Sequence, residues 1–177
     1  MEDQPVLYKR LLEQEEIDPL LALLESACEK TKGSFVTGER IFIEIDLVQF
    51  APLVDRLSAS LRDYFPDLEL CRQARLYRHE HGEVRPHRDA PLDGICNYTC
   101  LIYLNAFEDG KLSVKQPRKQ EEMLALEPEK KHKVFTFTPF PGYGVIFPKA
   151  CLHWAEEVHE RKDFLFLHLY SQAKLPK

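Results

Sequence analysis

Two side chains able to bind a metal, His87 and Asp89, stand two residues apart in the stretch RPHRDAPLDGICNYTCLIYLN, residues 85–105. An imidazole nitrogen and a carboxylate oxygen both suit a divalent first-row metal. A turn-rich gap follows them, and then the apolar run NYTCLIYLN, which reads as a buried strand. Two ligands on one short segment do not make a closed site, so the chemistry depends on a third.

The chain holds six other histidines. His132 lies in a Lys-rich turn and His159 in a charged one, so both are expected at the surface. His79 and His81 flank a turn at Gly82, with no carboxylate pattern beside them. His168 lies on the last apolar segment. His153 differs: it sits in GVIFPKACLHWAEEV, after an apolar strand and a turn proline, at the start of another strand. Two histidines and one aspartate on neighbouring strands occupy one face of an octahedral metal and leave three positions open. That is the arrangement of non-haem Fe(II) oxygenase centres.

These ligands need a scaffold. QEEIDPLLALLESACEK (residues 14–30) spaces Ile17, Leu20, Leu21, Leu23, Leu24 and Ala27 as a helix does, with Asp18 and Pro19 as N-cap and first-turn pair. Residues 46–65 suit a second helix with Leu47, Phe50, Leu53, Val54, Leu57 and Leu61 on one face. RIFIEID between them alternates like a strand. After residue 66 the chain turns to short β-branched and aromatic segments punctuated by turn residues. The expected fold is α+β and mainly β. A double-stranded β-helix (jelly roll) core over 67–177 carries N-terminal supporting helices over 1–66, in a single catalytic domain of 177 residues.

Composition narrows the partners. Hydrophobic residues are 44% and charged residues 30%, with a formal net charge of −5, which argues against a protein built to neutralise phosphates. Five cysteines with no C-x-x-C pair suit reduced thiols, and the expected location is cytoplasmic, or nuclear in a eukaryote. No apolar run reaches membrane-spanning length, so no membrane partner is expected.

From Leu68 onward the sequence resembles the 2-oxoglutarate- and Fe(II)-dependent dioxygenase superfamily, in its prolyl-hydroxylase-like branch. The resemblance rests on H-x-D, then YTCLIYLN, then a distal histidine, then a basic residue opening the last strand. It implies His87, Asp89 and His153 as iron ligands and catalytic centre. It implies Lys162 as the partner of the far carboxylate of 2-oxoglutarate, with Arg161 the competitor. Tyr103 would bond the same carboxylate, Leu101 shares its strand face, and Tyr77 would line the pocket. Strand parity puts Lys162, Phe164, Phe166, His168 and Tyr170 on one face and Arg161 on the other.

The implied cofactors are Fe(II) and 2-oxoglutarate, with ascorbate as an optional addition. The implied activity is hydroxylation of an aliphatic C–H bond, with 2-oxoglutarate decarboxylated to succinate. A peptide side chain such as proline and a small molecule both stay open as substrates, and so does a non-catalytic β-roll binding module. Nucleic acid is not expected. Two departures stand out: Asp109 replaces the first glycine of a Gly-Gly pair, and Trp154 follows His153. The segment 111–133 carries seven Lys or Arg against four Glu, and is read as either a solvated hairpin or a substrate-contacting loop favouring an anionic substrate.

Overall fold

The structure is a computed structural model that describes residues 6–30, 40–89, 96–106, 109–116 and 133–171. In chain order these form β1 (Leu7–Arg10), α1 (Gln14–Lys30), β2 (Arg40–Asp46), a 3-10 turn (Leu47–Phe50), α2 (Ala51–Arg62), β3 (Leu68–His79), β4 (Gly82–His87) and β5 (Cys96–Tyr103). Then come β6 (Leu112–Gln116), β7 (Lys133–Phe137), β8 (Tyr143–Pro148), β9 (Leu152–Val158) and β10 (Lys162–Ser171). Among the described residues no helix is long and apolar enough to cross a membrane.

Ten antiparallel strands make two facing sheets, ordered β1-β8-β5-β10-β3-β2 and β4-β9-β6-β7. This is the expected jelly roll. The central strands β5, β8 and β10 of the larger sheet have two apolar faces because two cores meet there. Cys100, Ile102, Leu165, Leu167 and Leu169 point outward into a core closed by Ile17, Leu20 and Leu24 of α1 and Leu53, Leu57 and Leu61 of α2. Leu101 and Tyr103 point inward, with Val145 and Phe147, and meet Leu112 and Val114 of the smaller sheet. The period-two alternation in CNYTCLIY and KDFLFLHLYS thus assigns successive residues to different cores.

The helices start differently from the sequence expectation. The Glu13 carbonyl accepts the first bonds of α1, from Glu16 and Ile17, while the Glu16 carboxylate accepts the Glu13 N–H at 2.8 Å. This reciprocal cap outcompetes Asp18 and Pro19, which lie inside the helix. The expected helix over 46–65 is split. Asp46 caps the 3-10 turn by accepting the Val48 N–H, and α2 begins beside Pro52, which lacks an N–H to continue a preceding helix.

β1 was not anticipated from the sequence; it pairs with β8, and β2 pairs with β3, so both extend the larger sheet. Of the segment 111–133, the two arms are β6 and β7, paired with Lys115 opposite Val134. Lys115 and Gln116 run past the level of His153, since Val114 pairs with His153. Residues 117–132 lie outside the described residues.

Candidate metal centre

His87 ends β4 and His153 lies near the start of β9; the two are cross-strand partners. Their rings are 4.2 Å apart. Asp89 follows β4 by two residues and brings Oδ1 to 3.9 Å from His87 Nε2 and 3.7 Å from His153 Nε2. One ligand atom from each of the three residues lies within 4.8 Å of the others.

Each ligand atom is oriented by a second bond. His87 Nδ1 donates to the Arg85 carbonyl at 2.9 Å, and His153 Nδ1 to the Cys151 carbonyl at 3.2 Å. That tautomer leaves each Nε2 with a lone pair facing Asp89. The Thr99 hydroxyl donates to Asp89 Oδ2 at 2.5 Å, which turns Oδ1 toward the histidines. Burial is the main force holding the His153 pKa below its usual range, with Asp89 opposing it. A neutral imidazole is the form that binds a metal.

The three atoms line one wall of a cavity of about 290 Å³ between the sheets. At its other end lies Lys162, 4% exposed, whose Nζ donates to the Gly110 carbonyl at 2.9 Å. Gly110 has φ +63°, and a Cβ there would meet Val158 Cγ2 at 2.6 Å and Lys162 Nζ at 3.1 Å. The glycine kept after Asp109 is therefore what lets Lys162 reach inward. Asp109 accepts the His159 N–H at 2.8 Å and holds the turn. Tyr103 is 2% exposed and its hydroxyl has no hydrogen-bond partner among the described residues. Burial pushes its pKa well up, so the hydroxyl keeps its proton.

Arg161 faces the other way. It is half-exposed and lies 3.4 Å from Glu25 and 3.3 Å from Asp163. The strand start is fixed by Asp163, fully buried and bonded to Arg78 at 3.0 and 3.2 Å, while its N–H donates to the Asn105 side chain at 2.8 Å. With Asp163 held toward the helices, alternation turns Lys162 into the cavity.

Between the two ends runs an aromatic floor. Tyr77 stacks on Phe164 with ring centres 5.0 Å apart and planes 7° off parallel, and Phe166 meets its edge. Leu101, Leu112 and Ala155 supply apolar walls. Tyr170, expected on the same face as His168, lies beyond irregularities in register that flank His168, and its hydroxyl donates to Glu69 instead.

Three groups near the cavity were not singled out from sequence. His79, 2% exposed, lies in it opposite Lys162, and Arg75 lies in it near His168. Both share the parity of Tyr77, the signal that would have found them. Lys149 is the third, linked to the cavity by its charge acting on His168: it is 4% exposed, with Nζ lacking a hydrogen-bond partner among the described residues. A lysine in a Pro-Lys turn carries no local sign of burial.

No protein-family model matches the chain, and no curated protein matches its sequence. Solved structures do match. A prolyl-4-hydroxylase from Pseudomonas putida is 14% identical with a TM-score of 0.66, over 97% of this chain and 95% of that one. The non-heme alpha-ketoglutarate-dependent epimerase SnoN from nogalamycin biosynthesis reaches 0.71 at 15% identity, over 96% and 78%. HygX from Streptomyces hygroscopicus, with nickel and 2-oxoglutarate bound, reaches 0.66 at 17% identity, over 97% and 85%. The chain has the jelly-roll fold of the 2-oxoglutarate- and Fe(II)-dependent oxygenases, with a His–Asp–His cluster at one end of its internal cavity.

Proposed function

We propose that the protein is an Fe(II)- and 2-oxoglutarate-dependent dioxygenase that hydroxylates an aliphatic C–H bond. One observation carries the reading: His87, Asp89 and His153 converge at one end of the cavity, while Lys162 and the partnerless Tyr103 hydroxyl share the other. A buried hydroxyl without an acceptor is costly, and a bound carboxylate would accept its proton. The residues therefore fit both groups.

In this reading His87 and His153 hold the metal through Nε2, and Asp89 supplies the only anionic ligand. Thr99 keeps Asp89 turned toward the metal. Lys162 and Tyr103 hold the far carboxylate of 2-oxoglutarate, and Tyr77, Leu101, Phe164 and Phe166 pack along its carbons. When bound, Fe(II) and 2-oxoglutarate would harness the oxidising power of dioxygen, one oxygen atom entering an unactivated C–H bond and the other the succinate formed as 2-oxoglutarate loses carbon dioxide. The apolar walls exclude water, so that power is directed at the substrate.

For the substrate, a peptidyl side chain such as proline is favoured, and a small molecule is the second reading. The first is supported by the fold shared with a prolyl-4-hydroxylase, the second by the fold shared with SnoN. The net charge of −5 speaks against nucleic acid. Cys28, Cys71, Cys100 and Cys151 form no disulfide among the described residues, which fits a reducing compartment such as the cytosol.

The test is succinate formation from 2-oxoglutarate with Fe(II) under air, with and without Asp89→Ala. The expected result is Fe(II)-dependent succinate in the native protein and none in the variant. Metal binding with no succinate under any condition favours the binding-module reading. Equal turnover by the variant refutes the proposal.

A further inference from the structure

We infer that the primary substrate carries a carboxylate, and that Arg75 and Lys149, with His168 as a hydrogen-bonding partner, form the subsite that receives it at the metal end of the cavity. The inference rests on the proposed function for the positions of metal and 2-oxoglutarate.

Arg75, Tyr77 and His79 alternate along β3, and Lys162, Phe164, Phe166 and His168 along β10; all seven line the cavity. Phe166 pairs with Arg75 on one side and Leu101 on the other. His168 pairs with Thr99, whose hydroxyl holds Asp89. Arg75 and His168 therefore belong to the Asp89 end. Six residues of β10 separate His168 from Lys162, a backbone span of about 20 Å at 3.3 Å per residue. 2-Oxoglutarate held by Lys162 brings only its keto-acid group to this end, where the metal engages it, and the cluster is assigned to a second carboxylate.

Counter-charge near the cluster is limited, among the described residues, to Asp89 in the cavity and Glu44 beside Arg75. Asp89 is the only carboxylate lining the cavity among the described residues, and it is committed to the metal and Thr99. Lys149 Nζ and His168 Nδ1 are both buried without a hydrogen-bond partner among the described residues. Arg75 is held by Glu44 alone among carboxylates, at 3.1 and 3.3 Å, and Glu44 is 61% exposed. The charges of Lys149, Asp89 and Arg75 all act on His168, so it lies within electrostatic reach of each. Burying an ammonium without a counter-charge is expensive, and a substrate carboxylate would supply one.

The floor beside them sets the rest of the ligand. Phe42, 41% exposed, meets Tyr77 at 5.4 Å, and Arg75 lies over the Phe42 ring at 5.2 Å. An apolar body resting on the exposed Phe42 ring, beside the floor that 2-oxoglutarate occupies, leaves its carboxylate at Arg75. A free aromatic acid and an acidic side chain of a peptide offer the same chemistry.

The experiment uses protein loaded with Mn(II) and saturated with 2-oxoglutarate, and reads probe binding from paramagnetic relaxation of probe protons. One matched pair is 3-phenylpropionate and 3-phenylpropanamide; the other is acetyl-Phe-Pro-Glu-amide and acetyl-Phe-Pro-Gln-amide. The acid of at least one pair should bind about tenfold tighter than its neutral partner, as a charge-assisted contact requires. Whichever pair shows this identifies the source of the carboxylate. Arg75→Gln and Lys149→Met should each bring the preference to within about twofold, and Arg75→Gln, partly exposed, keeps the test open if Lys149→Met does not fold.

Equal binding of acid and amide in both pairs overturns the inference. So does a preference that survives both variants, or an acid displaced by further 2-oxoglutarate. Mn(II) binding is read separately from water relaxation without probe. If the metal does not bind, the proposed function fails, and saturation transfer to the same probes on the metal-free protein still decides the cationic subsite.

Discussion

Replacing Lys162 by methionine keeps an unbranched apolar stem and removes the charge that faces the cavity. The stem still fits beside Gly110 and Val158, where the space is already tight. A hydrogen bond to a charged group is worth about 1.5–3 kcal/mol, and about 1.4 kcal/mol is a factor of ten, so 2-oxoglutarate should bind roughly 10- to 100-fold more weakly. Tyr103→Phe should weaken it less, because it removes one bond and no charge. Arg161→Ala should leave it within about twofold, since that side chain is half-exposed and paired outside the cavity. The assay is calorimetric titration of 2-oxoglutarate into Mn(II)-loaded protein, with metal affinity measured first to show that the centre is intact. Weak binding in Arg161→Ala together with native binding in Lys162→Met would refute the inward placement of Lys162.

Thr99→Val should weaken metal binding about 10- to 100-fold by releasing Asp89, checked by competition with a chelator dye; unchanged affinity would mean Asp89 is oriented by something else. Arg78→Met leaves the Asp163 carboxylate buried without its main partner and should cost about 3–5 kcal/mol in urea unfolding, far more than Arg72→Met, whose partner Asp46 lies near solvent. His168 is held down to about 4, chiefly by burial and then by Lys149, so the unfolded chain takes up its proton first. The metal-free protein should therefore lose stability as pH falls from about 6.5 to about 4, with no further loss from this group below that. His168→Phe should shrink that loss in thermal melts; an identical pH profile would remove His168 from the account.

The sequence showed the site where local pattern and chemistry coincide. His87, Asp89 and His153 stood out as ligand types beside strand-like runs, and β4 and β9 do pair at the two histidines. Alternation in KDFLFLHLYS correctly turned Lys162 inward and Arg161 outward, because both sheet faces are filled and a one-residue slip would bury Arg161. What remained hidden depends on distant partners. LYKR is too short and polar to read as a strand, and becomes one only against Tyr143–Ile146. Glu13 and Glu16 cap α1 by a reciprocal bond that Asp18 and Pro19 mask in the sequence. The burial of Lys149, and the reach of its charge to His168, arises only when β8 and β10 are assembled.

The most direct test of the central claim is a crystal structure of protein grown with Mn(II) and 2-oxoglutarate, read by anomalous scattering at the manganese edge. The account predicts one strong peak within about 2.0–2.3 Å of His87 Nε2, Asp89 Oδ1 and His153 Nε2. It also predicts 2-oxoglutarate running from that peak to Lys162 and Tyr103. A peak bound elsewhere, or 2-oxoglutarate lying away from Lys162 with the metal in place, would contradict it.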